Sequence, residues 1–110
     1  HLLRLANSPA FRGASPIVSI QQAVTRLGGA QLRQVAVVIA CETRAFVAPG
    51  YDELVCGLFR HALATALISR EIARQRRTNV EEAFLAGLLH DIGWPVIIHA
   101  LVDLGATDRE

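Results

Sequence analysis

The chain has 110 residues, 52% of them apolar and 5% aromatic, and carries a net charge of +1. That is one domain's worth of chain with ample material for a core, which excludes intrinsic disorder. The near-neutral balance supplies no electrostatic drive toward nucleic acid or an anionic lipid surface, so neither is expected as a partner.

All eleven basic residues are Arg, and Ala and Leu dominate the apolar set, as in packed helices of a GC-rich bacterial coding sequence. The longest unbroken apolar run, residues 35–41, falls well short of the roughly 18 residues that a membrane span needs. The start, His1-Leu2-Leu3-Arg4, lacks the pattern of a secretory signal. A soluble, cytoplasmic location follows as the expectation. Cys41 and Cys56 form no paired motif and read as small core residues of a reducing compartment. With no Met in the chain, further residues are expected upstream.

Leu2, Leu3 and Leu5 read as the end of a helix, and residues 7–16 as a loop rich in Asn, Ser, Pro and Gly. Ser19 and Gln22 have capping-box spacing, so a helix starts there. Ala23, Val24 and Leu27 give its apolar face, and Gly28-Gly29 end it. Leu32, Val35, Ala36, Ile39, Thr43 and Phe46 recur at three and four, which predicts a second helix over 31–46, broken by Pro49-Gly50. The longest helix is predicted over 52–75. Its buried stripe runs through Leu54, Val55, Leu58, Phe59, Ala62, Ala66 and Leu67. Arg74 to Arg77 suit a helix C-terminus.

Thr78-Asn79, with Glu81 and Glu82 three residues on, start the next helix. Ala83, Phe84, Gly87, Leu88 and Asp91 share its inner face, and Gly93 stops it. A last helix opens at Trp94-Pro95 and runs to Leu104. No strand alternation competes with these periods, so the expected fold is all-α.

Chemistry concentrates in His61, on the longest helix near its buried side, and in the adjacent pair His90-Asp91. Two imidazoles and a carboxylate on neighbouring helices could hold one borderline or hard cation. The ordinary alternatives stand beside this. A single His on an apolar face is usually a hydrogen-bonded core residue, and a His near a helix C-terminus with a capping Asp needs no metal. His99 and Asp103, four apart, share a helix face. Catalysis by a bound metal would need further ligands or waters and a substrate clamp; the chain has no Lys, and no Arg groups near the pair.

Three blocks resemble the HD-related output domain (HDOD) family. They are Leu3-Arg4-Leu5-Ala6-Asn7-Ser8 followed by Ser19-Ile20-Gln21-Gln22-Ala23, then Leu58-Phe59-Arg60-His61-Ala62, then Glu81 through His90-Asp91-Ile92-Gly93. The resemblance covers nearly the whole chain. It implies a helical bundle of the HD-domain type, of which residues 1–110 are the central part, the family's domain extending beyond both ends. The wider HD superfamily comprises metal-dependent phosphohydrolases, including the HD-GYP cyclic-di-GMP phosphodiesterases.

By that resemblance His61, His90 and Asp91 fall on superfamily metal-ligand positions, while the distal Asp has no counterpart and Asp103 stands too close to be one. Trp94 occupies the place of the HD-GYP lysine. The resemblance therefore implies a vestigial site and a non-catalytic bacterial output domain. No catalytic or cofactor-binding residue is assigned. The implied partners are signalling modules: response regulators, cyclic-nucleotide-turnover enzymes or kinases, with a homodimer left open. The alternative is a phosphohydrolase using Mn or Fe on a phosphate ester or cyclic dinucleotide.

Overall fold

The computed structural model describes residues 4, 7–9 and 18–105, except for the side chain of Ala23. The expected helix end at Leu2, Leu3 and Leu5, most of the 7–16 loop and the last five residues lie outside this range. Among the described residues there are four α-helices, one π-helical turn and no strand, so the all-α expectation holds. The chain divides into two compact units, His1–Ile39 and Ala40–Glu110.

The first unit contains most of α1, Ile20–Ala40. Ser19 caps it, its hydroxyl accepting from the Gln22 N–H at 3.1 Å. The Gln22 side chain returns to the Val18 N–H at 2.9 Å, one residue earlier than a strict capping box. Gly28, at φ 70° and ψ 172°, sits in a region essentially reserved for glycine and kinks the helix. The expected stop at Gly28-Gly29 is met by this break in the helical backbone, and a second helical stretch begins directly beyond it. Leu27, Val35 and Val38 are buried.

In the second unit, Cys41–Ala45 form the π-helical turn. The chain then reverses through residues 48–51. Pro49 stands second, Gly50 third at φ 87°, and the Tyr51 N–H reaches the Ala48 carbonyl at 2.9 Å, as in a type II turn.

Helix α2, Asp52–Arg76, follows. It ends on Arg77 at φ 55° and ψ 39°, with Thr78 N–H bonded to Ala73 O at 2.9 Å and Arg77 N–H to Arg74 O at 3.2 Å. That pair of bonds is a Schellman motif, with arginine where glycine is usual. Helix α3, Val80–Leu89, is capped by Asn79, whose side chain accepts from the Glu82 N–H at 3.1 Å. After a short turn, α4 runs over Gly93–Asp103. Gly93 opens this helix instead of closing the previous one, and Pro95 sits in its first turn, where a missing N–H costs nothing.

The core of this unit is the packing of α2 on α3. Val55, Ala62, Ala66 and Ala73 come from α2, and Phe84, Gly87 and Leu88 from α3. Phe46 and Phe59 meet edge to face, with ring centroids 5.3 Å apart. Two parts of the expected stripe are corrected. Leu54 is exposed, and Leu58 and Phe59 are half-buried, because the small Ala62–Ala66 side is the one that α3 covers. Cys56, expected in the core, is exposed; Cys41 is buried.

Residues Val80–Asp103 are together apolar enough, over 24 residues, to meet the length and composition of a membrane span. No single unbroken run reveals this. In the fold the stretch is two helices, with His90 and Asp91 at the turn between them.

Candidate metal centre

The site forms where the α3–α4 turn meets α2. An α-helix needs close backbone approach to set short polar side chains against a neighbour, and Gly87 provides it. A Cβ there would lie 2.7 Å from Ala66 Cα and 2.9 Å from Thr65 O. Nothing larger than hydrogen fits. With α3 seated this close, His90 and Asp91 at its C-terminal end come beside His61 of α2.

Asp91 Oδ2 lies 3.0 Å from His90 Nε2 and 3.7 Å from His61 Nε2. The two imidazole centroids are 5.3 Å apart, tilted by 57°. One donor atom from each of the three residues lies within 4.8 Å of the others. Around a cation with bonds of about 2.1 Å, adjacent donors stand roughly 3 Å apart. The His90–Asp91 edge already has that spacing. The His61 side is wider, and His61, with 60% of its side chain exposed, has the rotamer freedom to close it.

The orientation of His90 is set from behind. Its Nδ1 lies 2.6 Å from the Gly87 carbonyl oxygen. A carbonyl cannot donate, so Nδ1 carries the hydrogen. In a neutral ring Nε2 then presents a lone pair toward Asp91 Oδ2, two acceptors facing each other. A cation between them, proton or metal, resolves the conflict. A histidine whose second nitrogen donates to a backbone carbonyl is the usual arrangement of a metal ligand. The nitrogen, nitrogen and oxygen donors suit a borderline transition metal. The open face leaves room for water on the remaining positions. The residues present thus fit a divalent cation.

The three residues named from sequence, His61, His90 and Asp91, are the ones the fold brings together. The position of His61 is corrected: it stands on the exposed side of α2, not in the core, so the core-histidine alternative fails. His99 and Asp103 stay apart from the cluster. They pair with each other at 3.3 Å, one helical turn apart, while His99 Nδ1 lies 2.8 Å from the Val47 carbonyl oxygen. Gly87 is the site residue that spacing alone did not single out. Its position four residues before Asp91, on the same inner face as Phe84 and Leu88, was the available signal. A separate recess of about 220 Å³, walled by Phe46, Val55 and Phe59 with Glu42 and Asp52 at its lining, was also not legible from sequence.

Helices α2 and α3 pack as a pair, with His61, His90 and Asp91 gathered at the end away from their connection, beside the α3–α4 turn, an arrangement in keeping with an HD-type helical domain. The HDOD domain profile matches residues 1–107, and the chain belongs to that family. HDOD domains are HD-related and associated with signalling. No curated protein and no solved structure matches the chain.

Proposed function

We propose that this domain is a non-catalytic regulatory module of bacterial cytoplasmic signalling, acting through protein–protein contact. One observation carries the reading. Helix α4 begins directly beyond the His90-Asp91 turn and holds Trp94, Ile97, Leu101 and Leu104 at helical spacing, between 44% and 79% exposed. Pro95, Ile98 and Val102 form the covered side of the same helix. An apolar stripe left open on a helix whose other side is packed supports a contact-surface reading. Its partners, on this reading, are response-regulator, cyclic-nucleotide-turnover or kinase modules, or a second copy of the domain. The absence of lysine from the chain, with Trp94 following Gly93, also fits a site that does not clamp phosphate.

The test is Ile97→Asp combined with Leu101→Asp in the full-length protein. Exposed positions tolerate such changes within about 0.5 kcal/mol. Signalling output is expected to be lost with the melting temperature retained, whereas His61→Ala leaves output intact. Loss of output in His61→Ala, with the stripe variant active, overturns the proposal.

The three-donor cluster favours one second reading, a phosphohydrolase. His61, His90 and Asp91 would hold Mn or Fe, and the metal would supply an activated water for attack on a phosphate ester or cyclic dinucleotide. Elemental analysis of protein purified without chelator decides between them. Near-stoichiometric metal that His90→Ala abolishes, together with metal-dependent hydrolysis of a cyclic dinucleotide, would replace the first reading with the second.

A further inference from the structure

We infer that Gly87 is the positioning residue of the His61–His90–Asp91 cluster, fixing both the approach of α3 and the tautomer of His90. The inference rests on reading the cluster as a set of donors for a cation. Two features of one residue carry it. The missing side chain lets α3 sit so close to α2 that a Cβ at 87 would lie 2.7–2.9 Å from Ala66 Cα, Ala66 N and Thr65 O. These are backbone atoms in the middle of a helix and cannot swing aside as a side-chain tip would. The carbonyl of the same residue takes the hydrogen of His90 Nδ1 at 2.6 Å.

The second feature lies within α3 itself, three residues apart on one helix, and moves with that helix. The Gly87 carbonyl points along α3 toward the turn, and its height relative to His61 is the height of α3 against α2. A methyl group at 87 would push α3 outward against the Thr65–Ala66 backbone. His90 and Asp91 would move with it, and the His61 Nε2–Asp91 Oδ2 separation of 3.7 Å would lengthen. With Nδ1 protonated, His90 offers Nε2 to the cluster. With the other tautomer it would offer a hydrogen there and could not ligate a cation.

The experiment is nitrogen-15 NMR of the histidine rings at a pH of about 8, where an ordinary histidine is neutral. In the wild-type protein His90 is expected to show Nδ1 protonated and Nε2 as the lone-pair nitrogen. Gly87→Ala is expected to keep that pattern, because the Nδ1–carbonyl bond lies within α3, and to lose the proton contacts between the His61 and His90 rings. Gly57→Ala is the control: it adds a methyl to α2 with nothing within 4 Å and should leave both the pattern and the ring contacts unchanged.

A wild-type His90 protonated on Nε2, or unaltered contacts between the His61 and His90 rings in folded Gly87→Ala, overturns the inference. Should Gly87→Ala not fold, the scalar coupling between His90 Nδ1 and a carbon-13-labelled Gly87 carbonyl decides it in the wild type. Coupling supports the assignment and its absence sinks it. Titration of the wild type with Mn²⁺ alone judges the cation reading separately. A pinned tautomer without Mn²⁺ uptake removes that reading and leaves the role of Gly87 in orienting His90 standing.

Discussion

The two cysteines look alike in the sequence and differ in the fold. Cys41 lies in the π-helical turn, buried, and burial pushes its thiol up from the ordinary value. Cys56 is on the exposed side of α2. The thiolate is the reactive form, so both lower access and a smaller thiolate fraction protect Cys41. A thiol-reactive reagent such as dithionitrobenzoate is therefore expected to react rapidly with one equivalent of thiol per chain. The second should appear only on denaturation. Two fast equivalents would show that the turn around Cys41 opens. Sequence alone could not separate the pair, because helical periodicity leaves the exposed edge of a wide stripe undetermined. Cys56 and Leu54 both fall on that edge. His61 was misjudged for the same reason: one position from Ala62, it is about 100° around the helix from the packed face.

At the scale of elements, the boundaries were legible where a chemical signal marks them. Asn79 before Glu82 located the start of α3, and Pro49-Gly50 located the turn before α2. The end of α2 was placed within a residue from its basic tail, although the residue that caps it is not a usual one. Arg77 holds a left-handed conformation, which costs an L-residue roughly 1–2 kcal/mol relative to the right-handed one. Arg77→Gly relieves that cost and returns part of it as added freedom of the unfolded chain. A net stabilisation of about 0.5–1 kcal/mol is expected, read as a rise in the denaturant midpoint with unchanged slope. A fall in the midpoint would mean that the Arg77 side chain contributes more than its backbone costs. The joint at residues 90–92 was less legible. Gly93, just beyond it, read as a helix stop, but Ile92 N–H bonds to Leu89 O and Trp94 N–H to Asp91 O, each at 3.1 Å. These bonds carry the chain almost directly from α3 into α4.

At the scale of the molecule, the distribution of burial ranks the core positions. Leu88 is fully buried and Leu58 only partly. The sequence pattern treats the two as equivalent core residues; the packing of α3 on the alanine side of α2 makes them unequal. Leu88→Asp would bury an unpaired carboxylate and is expected to abolish the cooperative thermal transition. Leu58→Asp leaves its carboxylate within reach of water and should lower the melting temperature while keeping the fold. Circular dichroism melts of both variants check this. Equal effects would mean that Leu58 is as deeply enclosed as Leu88. The class of fold and the composition of the cluster were legible because both follow from helical spacing and residue type. The close contact beneath the cluster was not, because it depends on which helix faces meet.

The chain from Asn79 to Asp91 encodes several things in a single reading of a helix. Asn79 sets its start, Phe84 and Leu88 its covered face, Gly87 its closest contact, and His90 and Asp91 its chemistry. Each residue of α-helix turns the chain by about 100° and advances it about 1.5 Å. One codon added or removed between Phe84 and Gly87 would therefore swing both donors away from His61 and set a side chain where only hydrogen fits. Single substitutions at the exposed Leu85 or Ala86 leave that phase intact. The segment is thus far less tolerant of a change in length than of many changes in letter, and its phase, more than any one of its residues, is what the sequence must preserve.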